Sequence, residues 1–223
     1  MPVIRALINT ILSPVIIGLL LTGLHSSCVN AAENGASATA LLQHYLPESC
    51  YQTGRYQQQK KLAGLTKLLE TQGSFAFACD RGLLWHTAAP LNEILVYRLQ
   101  GATQLIKADG STQKLSGSLQ RHLGQMLNHL LGGDSVYLEK TFVITATESG
   151  IRLTPRKKRM EKFLRAIDIA RTGADVSILM QHQGEEYTAI RVYELQPLPA
   201  LTANQCAQLA GVVASACQQL LAP

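Results

Sequence analysis

Four cysteines, two helix-borne histidines and one basic run are the residues of this 223-residue chain whose types and spacing could do chemistry. The cysteines are Cys50, Cys79, Cys206 and Cys217, with a fifth, Cys28, inside an apolar leader. No C-x-x-C occurs, which argues against a zinc ribbon or a thioredoxin-like redox pair. An even count in an oxidising compartment suggests two disulfides, and three connectivities are open. Cys50–Cys79 is favoured, because the two lie symmetrically about a turn near Gly64-Leu65, as antiparallel strand partners do. A loop of that size contributes roughly 3 kcal/mol in the chain-entropy model. Cys206–Cys217 then remains. In one unbroken helix these two would stand about 16 Å apart, too far to bond. That pair therefore requires a chain reversal, near Gly211.

His122 and His129 lie seven residues apart on one expected helix, roughly 10 Å from each other, and cannot share a metal ion. No H-E-x-x-H, G-x-S-x-G, P-loop or G-x-G-x-x-G is present. No catalytic residue, metal or cofactor is expected, and the chain reads as a non-enzyme. The run Pro155-Arg156-Lys157-Lys158-Arg159 would suggest nuclear import or nucleic acid in a cytosolic protein. The leader argues against that, and a formal charge of +5 is too mild for a nucleic-acid binder. The expected role is a solvated loop; contact with anionic lipid or an acidic transporter surface is the sharper alternative.

The leader spans 1–32. Arg5 is its one charge, an apolar stretch follows, and Val29-Asn30-Ala31 offers small residues where a signal peptidase cuts. A cleaved secretory signal is expected. An uncleaved anchor is the rival, since the run nearly reaches spanning length, but Pro14 and Gly18 interrupt it. A lipoprotein signal ending at Cys28 fits less well, with His25 three positions upstream. Residues 33–223 are expected to form one domain with a helical, Cys-containing tail from about 200 to 223. That domain carries a net charge of about +4, since Arg5 leaves with the leader.

The elements that must position these residues are mostly strands. Ser37 to Leu46 reads as a short amphipathic helix stopped by Pro47. Alternating stretches run from Cys50 to Leu62 and from Leu68 to Cys79, followed by Leu83–Thr87, Ile94–Arg98, Thr103–Lys107 and Gln113–Leu115. A second helix, capped by Ser118, aligns Leu119, Leu123, Met126, Leu127, Leu130 and Leu131 before Gly132-Gly133. Further strands are expected at Val136–Thr147, Ile151–Thr154, Lys162–Ala170, Val176–Gln183 and Glu186–Leu195. The class is α+β: a curled antiparallel half-barrel of about eleven strands with two or three covering helices.

The order of these elements resembles the LolA-like family of periplasmic outer-membrane lipoprotein carriers. The matching residues are Tyr56-Gln57-Gln58, Gly73-Ser74-Phe75, Trp85 with Pro90, and Leu153-Thr154-Pro155, within 37–195. The resemblance implies a periplasmic monomer with an apolar cavity under a helical lid. It implies acylated lipoprotein or glycolipid cargo, an inner-membrane transporter as donor, an outer-membrane acceptor and no nucleic acid. The cavity candidates are Leu41, Leu42, Tyr45, Phe75, Phe77, Trp85, Leu119, Leu123, Met126, Leu127 and Leu130. Arg81 takes the place of the family's lid-latching arginine, although Asp80-Arg81-Gly82 lacks the proline that follows it there. A lipid- or lipoprotein-sensing module on the same scaffold, signalling to a membrane partner, is the alternative.

Overall fold

A computed structural model describes residues 37–47, 49–115, 118–208 and 212–221, with backbone only at 118–123, 208 and 212. The expected leader and its Cys28, the side chains of Ser118, Leu119, His122 and Leu123, and Gly211 lie outside this description. The elements are α1 (Ala38–Tyr45), β1 (Tyr51–Lys61), β2 (Leu69–Ala78), β3 (Gly82–Ala89), β4 (Glu93–Arg98), β5 (Thr103–Ile106) and β6 (Thr112–Leu115). They continue with α2 (Ser118–Leu131), α3 (Ser135–Thr141), β7 (Phe142–Ala146), β8 (Gly150–Pro155) and α4 (Lys158–Glu161). The last are β9 (Ala166–Thr172), β10 (Asp175–Gln181), β11 (Tyr187–Pro197), α5 (Ala203–Gln208) and α6 (Val212–Leu221).

The strands form one open antiparallel sheet, ordered β6-β5-β4-β3-β2-β1-β11-β10-β9-β8-β7. Consecutive strands pair within β1–β6 and within β7–β11, β6 and β7 are the two edges, and the pairing of β1 with β11 joins the two halves. This is the α+β architecture with eleven strands that the alternation predicts.

Period-two alternation assigns each strand two faces. One face carries Tyr56, Phe75, Phe77, Leu83, Ile151, Leu153, Ile167, Ile169, Val176, Ile178, Met180, Ile190 and Val192, all buried in one cluster. Over it lie α1, α2 and α3, contributing Leu42, Leu46, Met126, Leu130, Leu131 and Leu138. The opposite face of β2–β5 buries Ala76, Ala78, Leu84, Ile94, Val96 and Ile106 against Leu201, Cys206, Ala216, Cys217 and Leu220 of the tail.

Three differences from the sequence-based expectation have physical causes. The expected strand from Val136 begins as helix α3, because Asp134 accepts from Tyr137 N at 3.0 Å and Gly133 takes φ +60°. The expected strand from Lys162 starts only at Ala166, because α4 occupies part of the basic run. Among the described residues α1, α2 and α3 supply the expected two or three covering helices, whereas short α4 is additional and the helical tail, α5 and α6, packs on the sheet face opposite them.

Candidate functional site

Both disulfides form. Cys50–Cys79 staples the start of β1 to the end of β2, beyond the Tyr51–Ala78 rung. Cys206–Cys217 joins α5 to α6, two separate helices, which supplies the reversal that the spacing demands. Two disulfides suit an oxidising, extracytoplasmic setting.

The helices over the apolar face are knitted at one corner. Ser37 caps α1 by accepting from Ala40 N, and Thr39 Oγ1 donates to Glu139 of α3 at 2.5 Å. Gln52 Nε2 donates to Leu131 O at 2.8 Å, tying β1 to the end of α2 through a buried bond. His129 Nδ1 lies 2.9 Å from Asp134 Oδ2, and its ring stacks on Tyr137 at 3.6 Å. A Cβ on Gly133 would come within 2.7 Å of Pro47 O, so the α2–α3 corner sits directly against the end of α1.

Away from that corner, α2 approaches the sheet at Gly124. A Cβ there would lie 2.4 Å from the Tyr97 ring, so only hydrogen permits this closeness. Asn128 is also on the buried face of α2, and its Oδ1 accepts no hydrogen bond among the described residues. Beneath the helices the aromatic side chains stack in order: Tyr56 on Trp85 at 3.9 Å, and Phe75 on Trp85 at 5.9 Å. Tyr56 Oη bonds Thr87 Oγ1 at 2.8 Å, and burial pushes its phenol up to about 12. Burial likewise raises Tyr97.

The structure brings most of the sequence-derived candidates into one layer. Leu42, Phe75, Phe77, Met126 and Leu130 are buried in a single cluster, with Leu41, Tyr45, Trp85 and Leu127 packed against it. Leu119 and Leu123 share the helix, but their side chains lie outside the described residues. Arg81 stands apart, half-exposed at the β2–β3 turn, its Nε 3.6 Å from the neighbouring Asp80. The sequence-derived cavity candidates omit Tyr97, Gly124 and Asn128, and also Tyr56, which appears there only within the Tyr56-Gln57-Gln58 motif. A small residue within the apolar stripe of α2 was the available signal for Gly124.

A hollow of about 1130 Å³ opens on the other face of the sheet. Gln57, Gln72, Arg152, Asp168, Ser177 and Arg191 border it. Its charges are already engaged: Arg152 donates to both Asp168 oxygens at 2.6 and 3.0 Å, and Arg191 to Asp175 at 2.6 Å. The expected basic loop is anchored through Arg156, whose Nε donates to Glu139 O and Phe142 O at 2.9 Å, while Lys157, Lys158 and Arg159 are exposed. Among the described residues no group of three His, Cys, Asp or Glu is placed to hold a metal ion.

No family model matches the chain. Over 132 residues, 59% of this chain, it is 32% identical to an outer-membrane lipoprotein carrier protein of Pseudomonas syringae pv. tomato. The match spans 62% of that relative's length. Among solved structures, a LolA superfamily protein from Nitrosomonas europaea shares 9% identity at TM-score 0.42, covering 73% of this chain and 94% of that one. A DUF1329 family protein from Desulfovibrio piger shares 11% identity at TM-score 0.41, covering 74% and 92%.

Proposed function

We propose that this chain is a LolA-like periplasmic carrier that shelters the acyl chains of a lipoprotein or glycolipid and ferries them from an inner-membrane donor toward an outer-membrane acceptor. The observation that carries this reading is the apolar sheet face roofed by α1, α2 and α3, whose Leu42, Met126, Leu130 and Leu138 supply the cover. The 32% identity to a lipoprotein carrier supports it, as do two disulfides and a signal-like leader. On this reading 1–32 is removed on export and 33–223 is the working domain.

The energetics set the mechanism. Each buried CH₂ is worth about 0.8 kcal/mol, so a sixteen-carbon chain resists entering water by on the order of 12 kcal/mol. A carrier must offer comparable burial and then relinquish it. In the closed form the side chains of α1–α3 fill the place of cargo. Loading exchanges helix-to-sheet contact for lipid-to-sheet contact, a swap of one apolar surface for another that costs little net burial. Helix α2 has an anchored end, at Leu131 to Asp134, and a packed middle, at Gly124 on Tyr97. It lifts about the Gly132-Gly133 corner and exposes Phe75, Phe77 and Trp85 to cargo. Adaptable Met126 suits irregular chains. The latch role of Arg81 belongs to the same proposal, and Arg81→Ala is expected to speed lipid uptake severalfold in a fluorescent-lipid transfer assay; an unchanged rate removes Arg81 from the mechanism.

The experiment is native mass spectrometry of the protein from its own compartment, before and after incubation with membranes. Copurified or acquired mass matching an acylated species is expected. A protein that never carries or accepts lipid overturns the reading.

A further inference from the structure

The β1–β2 hairpin ends in a segment whose composition the carrier reading leaves unused. Turn tips are ordinarily built from Gly, Pro, Asn, Asp and Ser. Here the chain runs Leu62-Ala63-Gly64-Leu65-Thr66-Lys67-Leu68-Leu69, with Gly64 at φ +77° making the turn. Leu65, Leu68 and Leu69 are 48%, 37% and 45% exposed. Single exposed leucines are unremarkable, but three within five residues at a protruding tip form a patch.

The tip is held rather than loose. Lys61 Nζ pairs with Glu185 at 3.0 Å, and Ala63 N donates to Glu186 at 2.9 Å, so the β10–β11 turn braces it. Those contacts engage Lys61 but leave Lys67 without an ion pair among the described residues. The antiparallel register places the β8–β9 connection, with exposed Lys157, Lys158 and Arg159, at the same end of the sheet. Bare leucines flanked by lysine, beside a second cationic segment, match the two layers of a bilayer surface: acyl chains below and anionic headgroups above.

We propose that this end of the molecule is a docking surface for an anionic lipid bilayer, with Leu65, Leu68 and Leu69 entering the interface and Lys67 and Lys157-Lys158-Arg159 facing headgroup phosphates. An acidic protein partner would need the cations but not the uncovered leucines. Docking is reversible, because three leucines and a few cations fall far short of a lipid anchor plus a polybasic patch. The surface is separate from the acyl-binding face, so the two proposals fail independently.

The test is cosedimentation with vesicles of phosphatidylcholine alone and vesicles containing phosphatidylglycerol. It uses the protein as cells expressing the full sequence release it. Preferential binding to the anionic vesicles, weakened by salt, is expected. Lys157→Glu with Lys158→Glu lowers affinity by about fivefold for each cation lost. Leu65→Ser with Leu68→Ser and Leu69→Ser abolishes sedimentation while the melting temperature and lipid uptake from micelles stay unchanged. Equal binding to neutral and anionic vesicles, no binding to either, or full binding by the leucine variant overturns the proposal. Capture by a purified acidic protein that the cation variant loses and the leucine variant keeps also overturns it.

Discussion

Tyr56 shows how one buried side chain writes itself into the pH dependence of the whole fold. Its phenol, fully buried on Trp85, is raised to about 12 from its ordinary 10.0, whereas in the unfolded chain it ionises near 10. Between those values the unfolded state holds fewer protons than the folded one. The stabilisation is therefore complete below about pH 10 and is lost as pH rises toward 12, at up to about 1.4 kcal/mol per pH unit. Denaturant titrations above pH 10 check this, and Tyr56→Phe should flatten that part of the slope. Asn128 offers a second test at this scale. A buried acceptor without a partner costs about 1–3 kcal/mol, and Asn128 Oδ1, which has none among the described residues, places that cost on the closed position of α2. Asn128→Leu should raise the melting temperature by about 2–4 °C per kcal/mol recovered. On the carrier reading the same substitution slows lipid uptake, because the cover becomes harder to lift. A purely structural role would move the melting temperature and leave the uptake rate alone.

The elements behave as separable parts. Helix α2 reaches the sheet only because residue 124 lacks a side chain. Gly124→Val should push α2 off Tyr97, increase binding of a hydrophobic fluorophore, and cost on the order of 1–3 kcal/mol as overpacking. Far-ultraviolet circular dichroism should remain that of the native protein, since the sheet does not depend on this contact. The α5–α6 hairpin is a different case. It covers the face of β2–β5 remote from α2, and Cys206–Cys217 joins its two short helices. Replacing both cysteines by serine removes about 3 kcal/mol of constraint in the chain-entropy model. The expected result is faster amide exchange in 203–221 with unchanged protection in β9–β11. Loss of protection across the whole sheet would show that the hairpin is integral to the domain rather than appended to it.

At the scale of the molecule, the sheet presents two chemically different faces and one exposed end. The face under α1–α3 is apolar and covered. The other face is buried beneath the tail, and elsewhere mixes paired charges such as Arg152–Asp168 with Leu179 and Ala189 around the open hollow. The end bearing the β1–β2 tip presents leucine and cation to solvent. On the proposed carrier reading, the protein should load a single acyl chain without changing its oligomeric state. Light scattering before and after lipid loading checks that expectation, and dimerisation on loading would place the cover in trans rather than in α2.

Strand count, antiparallel order and the amphipathic stripe of α2 were legible in the chain, because they depend on local periodicity: two for strands, three to four for helices. The pairing Cys50–Cys79 was legible for the same reason, since a hairpin's register is symmetric about its turn. Helix α3 was not, because Val136 and Tyr137 favour a strand locally, and only the Asp134 cap and the burial of Leu138 reverse that preference. Neither was the placement of the tail. Its apolar residues announce that it packs, but which sheet face it covers depends on contacts between residues more than a hundred positions apart. The close approach at Gly124, the burial of Asn128 and the stack of Tyr56 on Trp85 belong to the same class. A sequence fixes which side chains seek burial; which surfaces meet is decided when distant segments compete for the same apolar face.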